Sequence, residues 1–442
     1  MRYGGRIAAA IEVLEDVLGR YTPANDALRD WGKSHRFAGS KDRSAIGGLV
    51  HDSLRTKSST AWRMDDESAR ALVLGTLVFH WGESIETLDD TFKEDDHAPS
   101  PITDKERKAL SASLDLKMAD DWVQADIPEW VWDAFQNNYG EEAVAEGRAL
   151  TARPPLDMRV NTLKSDAETA LAALKAFGAA LSPLSPMGLR VKPGTKLDRL
   201  PNIQAEPIYL TGGIDIQDEG SQLVSVLVDA QPDDLVLDYC AGGGGKSLAM
   251  AAEMGKSGSG AVYAYDIDKR RLAPIYDRAM RAGADKIEVR QPPVKSLNDL
   301  TGKMDRVLID APCSGSGTWR RKPDAKWRLS PETLDVRMNE QAAVLKQAKA
   351  YVKPGGLLFY VTCSVFAEEN EGQVYPFLDE NPDFELLSAG ETWEEKIGDD
   401  KPKPWSEDGC TITMTPASTN TDGFFFAVMQ RKLPSNFNPE TE

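Results

Sequence analysis

Apolar residues recur at three- and four-residue spacing through RIAAAIEVLEDVL, SAIGGLVHDSL and ARALVLGTLVFHW, which is the period of an amphipathic helix. A small helical bundle is therefore expected over residues 5–91. From 92 to 127 the pattern breaks: KEDDHAPSPITDKERK and KMADDWVQADIPEW are polar and charged, and Pro99, Pro101 and Pro128 interrupt them. That stretch predicts a connection carrying short helices. Over 128–213 both periods appear, with helices expected in VWDAFQNNYGEEAVAEGRAL and DAETALAALKAFG and a strand in LDMRVNTL, before segments broken by Pro183, Pro186, Pro193 and Pro201. A small α+β domain fits this mixture.

After GGIDIQDEGSQLVSVLV, short and strongly apolar runs alternate with helix-length stretches: DLVLDYCAG, AVYAYDID, KIEVRQ, DRVLIDAPC and GLLFYVTCS. Strands spaced by helices predict a parallel, doubly wound sheet. GFFFAVMQRK, 423–432, reads as a buried strand able to lie antiparallel beside the others. The expected organisation is an all-α bundle over 1–127, a small α+β domain over 128–213, a Rossmann-like α/β domain over 214–432 and an untied tail over 433–442.

Composition narrows the class. No run approaches 18 uninterrupted apolar residues, and charges enter the first twenty positions, so neither a membrane span nor a signal peptide is expected and a soluble, cytoplasmic protein is. Four cysteines (Cys240, Cys313, Cys363, Cys410) with no CxxC pair, and only four histidines, predict neither a disulfide framework nor a metal site. The thiols stay available for chemistry. A net charge of -18 argues at first against nucleic acid. Its distribution weakens the objection, because residues 1–63 carry +4 while 64–130 and 366–408 carry -11 each, leaving room for a nucleic-acid face elsewhere.

The first strand of the α/β region runs into Asp238, Tyr239, Cys240 and Ala241, and then Gly242, Gly243, Gly244, Gly245, Lys246 and Ser247 lead into an apolar helix. Such glycines allow a tight turn and bring backbone close to a ligand at a helix N-terminus. A phosphate-binding P-loop needs Gly where Cys240 stands, and a dinucleotide fingerprint starting at Gly242 needs Gly or Ala where Ser247 stands. The next strand ends at Asp266, where a carboxylate can accept hydrogen bonds from ribose hydroxyls. A ligand with a ribose and no demanding phosphate, such as S-adenosylmethionine, suits this arrangement.

Two further strands end in Asp310-Ala311-Pro312-Cys313 and Thr362-Cys363-Ser364, placing both thiols on the edge where doubly wound sheets bind ligands. Two thiols and a carboxylate favour chemistry over packing, and methylation of cytosine carbon 5, a poor nucleophile until a thiolate adds to carbon 6, is a reaction that would use them. That chemistry needs a thiol, a group that hydrogen-bonds the ring, which Asp310 can supply, and a base for the carbon 5 proton. By position alone either cysteine can attack. TWRRKPDAKWR, 318–328, comes next, and its Arg320, Arg321, Lys322, Lys326 and Arg328 interleaved with Trp319 and Trp327 suit phosphate contacts and stacking on unpaired bases.

DYCAGGGGKS at 238–247, DAPCSGSGTWRRKPD at 310–324 and TCSVFAEEN at 362–370, in this order, resemble the Sun and nucleolar-protein (RsmB-like) family of S-adenosylmethionine-dependent RNA cytosine-C5 methyltransferases. RVNTLK at 159–164, QDEGSQL at 217–223 and DGFFFAVMQRK at 422–432 extend the resemblance over roughly 150–432. It implies that Cys363 is the nucleophile, Cys313 the second cysteine that serves product release, Asp310 the acid beside cofactor and base, Lys246 the loop lysine and Asp266 the ribose carboxylate. Cofactor contacts are expected from Cys240, Ala241, Gly242, Gly243, Gly244, Gly245, Lys246, Asp266, Arg271 and Asp310. RNA contacts are expected from Arg159, Asn161, Arg320 and Arg321.

Two positions depart from the family. Gly242-Gly243 replace its Ala-Pro, and Pro292 and Pro293 stand where an acidic residue often faces the adenine. FAGSKDRSAIGGLVHDSLR, 37–55, resembles a helix of NusB-like RNA-binding domains, which implies small-subunit ribosomal RNA as substrate. A monomer is expected. Three competing readings carry less weight: a DNA methyltransferase attacking through Cys313, a noncatalytic RNA-binding or antitermination factor, and a P-loop ATPase. The TCS cysteine, the presence of both thiols with Asp310, and Cys240 speak against them in turn.

Overall fold

The computed structural model describes residues 1–196 and 200–434, so all but the first two residues of the expected tail lie outside the described residues. Two compact units divide the chain: Met1–Pro154 with Pro193–Leu200 and Thr318–Leu329, and Pro155–Lys192 with Pro201–Gly317 and Ser330 onward.

The first unit is helical, beginning with Tyr3–Arg20, Ala24–Ser34, Ser40–Arg55, Lys57–Met64 and Ala69–Gly75. The three-four spacing seen in the sequence delivers Ile7, Leu14, Ile46, Val50, Leu54, Leu72 and Leu77 to one core. Asp42 starts the third of these helices by accepting the Gly39 N–H at 3.1 Å, satisfying a donor that a helix end otherwise leaves orphaned. Buried Asp52 accepts from Trp81 Nε1 at 2.9 Å, from Arg55 Nη1 at 2.6 Å and from Arg153. The two arginines together offset the cost of burying its charge. No helix among the described residues is long and apolar enough to cross a membrane.

The second unit holds two sheets. Strands β1 (Leu156–Val160), β2 (Ala180–Leu181), β3 (Gly188–Val191) and β4 (Ile214–Ile216) form an antiparallel sheet in the order β2-β3-β1-β4. Helix Ala167–Leu174 packs Ala170 and Leu174 against Met158, Val160, Leu189 and Val191.

Strands β5 (Leu235–Asp238), β6 (Ala261–Tyr265), β7 (Ile287–Arg290), β8 (Met304–Asp310), β9 (Val352–Thr362), β10 (Phe384–Leu386), β11 (Thr411–Met414) and β12 (Phe424–Arg431) make the larger sheet. Its order is β10-β12-β9-β8-β5-β6-β7, with β11 paired to β12. The strands from β9 to β7 run parallel, and β12 enters antiparallel against β9 as expected.

Both faces of this sheet are covered, which is why its strands read as unbroken apolar runs rather than alternating ones. Val236, Leu308, Phe359, Val361, Phe424 and Phe426 point into one core. Their neighbours Leu237, Val307, Ile309, Leu358, Tyr360, Phe425 and Ala427 point into the other. From β5 the chain winds outward to β6 and β7, then returns to add β8 and β9 on the opposite side. The reversal opens a crevice at the carboxyl ends of β5 and β8, the usual ligand position in such sheets.

Candidate active site

Three segments meet at that crevice. β5 ends at Asp238, and the chain turns through Gly242, Gly243 and Gly244 into helix Gly245–Met254. Gly244 has φ +80°, and a Cβ there would lie 2.4 Å from Ile275 Cγ1. Gly244→Ala is accordingly expected to lower stability by about 2 kcal/mol through backbone strain alone, with steric overlap adding to it. Urea unfolding checks this.

The turn is braced by residues outside the glycine motif. Asp266, 2% exposed, accepts the Gly242 N–H at 3.0 Å and the Asp268 N–H at 2.8 Å. Arg271 approaches the same carboxylate at 3.8 Å while keeping its side chain largely exposed. Arg278, on helix Ile275–Ala282, donates to the Gly243 carbonyl at 2.6 Å and to Asp215 at 2.5 Å. Sequence reasoning missed Arg278, because nothing in YDRAMRAG distinguishes it from a solvated helix face.

Buried Asp238 accepts the Ser247 hydroxyl at 2.6 Å, and its Oδ1 has no partner among the described residues. Burial, with the nearby Asp310 and Asp266 carboxylates adding to it, pushes its carboxyl from 3.8 up to about 7. The folded protein therefore holds this proton more tightly than the unfolded chain does. Stability from this group is fully present below the unfolded value and is lost as pH rises through about 7. Asp238→Asn keeps the acceptor for Ser247, and it is expected to flatten that decline and to gain on the order of a few kcal/mol at pH 8. Denaturant melts at pH 5 and pH 8 measure it.

Lys246, 7% exposed, extends to Asp310 at the end of β8, with Nζ 2.7 Å from Oδ2. Burial disfavours its charge, but Asp310 and the neighbouring Cys363 and Asp238 outweigh that and hold the amine above its ordinary range. Cys313 and Cys363 are both free thiols, and their sulfurs lie 3.4 Å apart. Contact with Cys363, and then burial, raise the Cys313 thiol well above its ordinary range.

The two cysteine loops are stitched together. Gly317 N–H donates to the Cys363 carbonyl at 3.0 Å, Val365 N–H to Ser316 Oγ at 2.9 Å, and the Ser316 and Ser364 hydroxyls share a hydrogen at 3.0 Å. Glu369, the middle residue of the EEN in TCSVFAEEN, accepts the Ser314 N–H at 2.7 Å. Cys240 is partly buried at the glycine turn, and burial raises its thiol. Cys410 lies on the Asp408 turn. Beside the expected adenine position, Gln291 donates to the Tyr276 hydroxyl at 2.5 Å and Ile267 is 81% exposed.

The residues expected on RNA sit differently. Arg159 is 6% exposed and donates to Gln217 Oε1 at 2.8 Å. Asn161 braces two carbonyls, those of Gly212 at 2.7 Å and Ala282 at 2.8 Å. Arg320 is 2% exposed, and its carbonyl accepts from Arg55 at 2.8 Å. Trp327 donates to the Leu54 carbonyl at 2.6 Å, and Lys326 stacks over its ring at 4.8 Å while Nζ donates to the Arg55 carbonyl. The interleaved rings and cations of this stretch are thus largely interior packing of the helical unit. Arg321 is half-buried and Lys322 exposed. Among the described residues no group of acids, cysteines and histidines could hold a metal ion.

A glycine turn after the first strand of a doubly wound sheet, with acids at the ends of the neighbouring strands, defines a Rossmann-like class. Known proteins agree. The family model described as 16S rRNA methyltransferase RsmB/F matches residues 225–430, and that of the RsmF/B-like ferredoxin-like domain matches 127–198. The probable ribosomal RNA small subunit methyltransferase B of Synechocystis is 33% identical over 320 residues, covering 70% of this chain and 67% of that protein. Its counterpart in Bacillus subtilis is 33% identical over 311 residues, covering 69% and 66%. This chain thus spans about two thirds of the length of those relatives. The crystal structure of PH0851 matches with TM-score 0.73 at 24% identity over 97% of this chain and 99% of that one, a likeness of fold. The chain belongs to the RsmB/F family of 16S rRNA methyltransferases, with the family's mixed α/β fold of Rossmann-like sheet and ferredoxin-like domain.

Proposed function

We propose that this protein methylates carbon 5 of a cytosine in small-subunit ribosomal RNA, with Cys363 bonded to carbon 6 during the reaction. The observation that carries this is the pair of thiols 3.4 Å apart beside the Lys246–Asp310 ion pair. Covalent catalysis through sulfur uses a thiolate as the nucleophile. Cys363 is the attacking sulfur in this reading, as in the family it belongs to. Asp310 hydrogen-bonds the ring as charge develops, with Lys246 holding its carboxylate in place. Cys313 serves the elimination that frees the product.

S-adenosylmethionine supplies the methyl group when bound. The residues present fit it: Asp266 follows the end of β6, where a carboxylate can accept hydrogen bonds from a ribose, and Asp238 keeps a buried oxygen without a partner. Arg271 flanks the same place. With no acid at Pro292 or Pro293, adenine contacts fall to backbone groups. The helical unit, with its NusB-like helix Ser40–Arg55, is assigned to RNA binding in a cytoplasmic, monomeric enzyme. Exposed Lys322 and half-buried Arg321 are better placed for phosphate contacts than Arg320.

Incubation with small-subunit ribosomal RNA and tritiated S-adenosylmethionine, followed by bisulfite sequencing, tests the proposal. A single protected cytosine is the expected result. Label on DNA alone, or on a base other than cytosine, would overturn it.

A further inference from the structure

Glu369 is completely buried, and no lysine or arginine among the described residues pairs with it. A buried carboxylate with no cation beside it is costly, and hydrogen bonds offset that cost here. Glu369 accepts from the Ser314 N–H at 2.7 Å, the Ser314 hydroxyl at 2.5 Å and Gln341 Nε2 at 3.0 Å. The same Gln341 amide donates to the Pro312 carbonyl at 2.9 Å. Pro312 and Ser314 are the two chain neighbours of Cys313.

The next residue repeats the arrangement around the other thiol. Asn370 Oδ1 accepts the Thr362 hydroxyl at 2.6 Å, and its Nδ2 donates to the Ser364 carbonyl at 3.2 Å. Thr362 and Ser364 are the neighbours of Cys363. Tyr360 fixes the pair from below, its hydroxyl donating to the Glu369 carbonyl at 2.7 Å. Two consecutive side chains therefore hold the flanks of both cysteines, one each.

We propose that Glu369 is a positioning residue for product release, clamping the Pro312–Ser314 turn so that the Cys313 sulfur stays against the sulfur that carries the cytosine. This rests on the covalent reading given above. At release the carbon 5 proton passes to a base, its bonding pair forms the carbon 5 to carbon 6 double bond, and the carbon 6 to sulfur bond breaks with Cys363 leaving as thiolate. Glu369 takes no part in those bonds. It fixes where Cys313 stands while they change.

The experiment compares the wild-type full chain with Glu369→Gln, Ser314→Ala, Cys313→Ala and the Glu369→Gln, Cys313→Ala double variant, using small-subunit ribosomal RNA and tritiated S-adenosylmethionine. For Glu369→Gln, methyl transfer in the first turnover stays close to wild type. Steady turnover falls by about 10²-fold, the scale of a catalytic group misplaced by about 1 Å, and a protein–RNA adduct builds up on denaturing gels. In the Cys313→Ala background the same substitution adds nothing. Ser314→Ala removes one of the three clamping bonds, gives the same split at smaller size, and decides the matter if Glu369→Gln does not fold.

Unchanged turnover, or an equal fall in first-turnover and steady rates at an unaltered melting temperature, would overturn the inference. Failure of Cys313→Ala to trap any adduct would instead overturn the covalent reading on which it stands.

Discussion

Cys363→Ala is expected to abolish methyl transfer and to leave no covalent adduct with RNA, whereas Cys313→Ala should trap one that survives denaturing electrophoresis. The sulfurs lie 3.4 Å apart, so position alone lets either reach the base, and their surroundings are the difference between them. Cys363 lies within the field of the Lys246 ammonium, and the Cys313 thiol is held protonated by its contact with Cys363 and by burial. Attack and release are distinct steps, and only the first needs the nucleophilic sulfur. With Cys313 gone, carbon 6 still acquires sulfur and carbon 5 still acquires methyl, but elimination stalls. Gel-shift assays of the two variants with labelled RNA report the difference. An adduct from Cys363→Ala and none from Cys313→Ala would reverse the roles.

The second large effect is expected at Lys246. Lys246→Met removes the donor that fixes Asp310 at 2.7 Å and a cation that interacts with Cys363, the thiol proposed to attack, and turnover should fall by about 10²- to 10³-fold, as when one preorganised electrostatic group is deleted. Stability should fall much less. The Asp310 side chain is 32% exposed, so water reaches the orphaned carboxylate and the cost stays on the order of 1 kcal/mol. Single-turnover kinetics beside a denaturant melt separate the two. A large loss of stability with little change in turnover would make Lys246 a structural residue.

The carboxyl edge of the larger sheet was largely legible in the sequence because its signals are local. Unbroken apolar runs mark strands buried on both faces, and the residue at the carboxyl end of each run lies at a strand end. Asp238, Asp266, Asp310 and Cys363 could be placed in that way, with Cys313 three residues beyond β8. That Lys246 meets Asp310, and that the two sulfurs touch, depends on the β5–β8–β9 order, which no single segment states.

The stretch 318–328 reads two ways for a physical reason. Alternating tryptophans and cations describe an RNA surface and an interior equally well when backbone carbonyls receive the cations, as those of Leu54 and Arg55 receive Trp327 and Lys326. Arg159 and Asn161 are similar. Their hydrogen bonds go to Gln217, Gly212 and Ala282, partners 50 or more positions away that spacing cannot reveal. Arg278 was hidden because it acts on a loop remote in sequence, and the same distance hid which loop Glu369 holds.

Peptide mass mapping of the adduct from Cys313→Ala tests the covalent claim most directly. A methylated cytidine attached to the peptide containing Cys363, and to no other, is the expected result. Attachment at Cys240 or Cys410, or methylation of the RNA by this variant with no attached nucleoside, would contradict it.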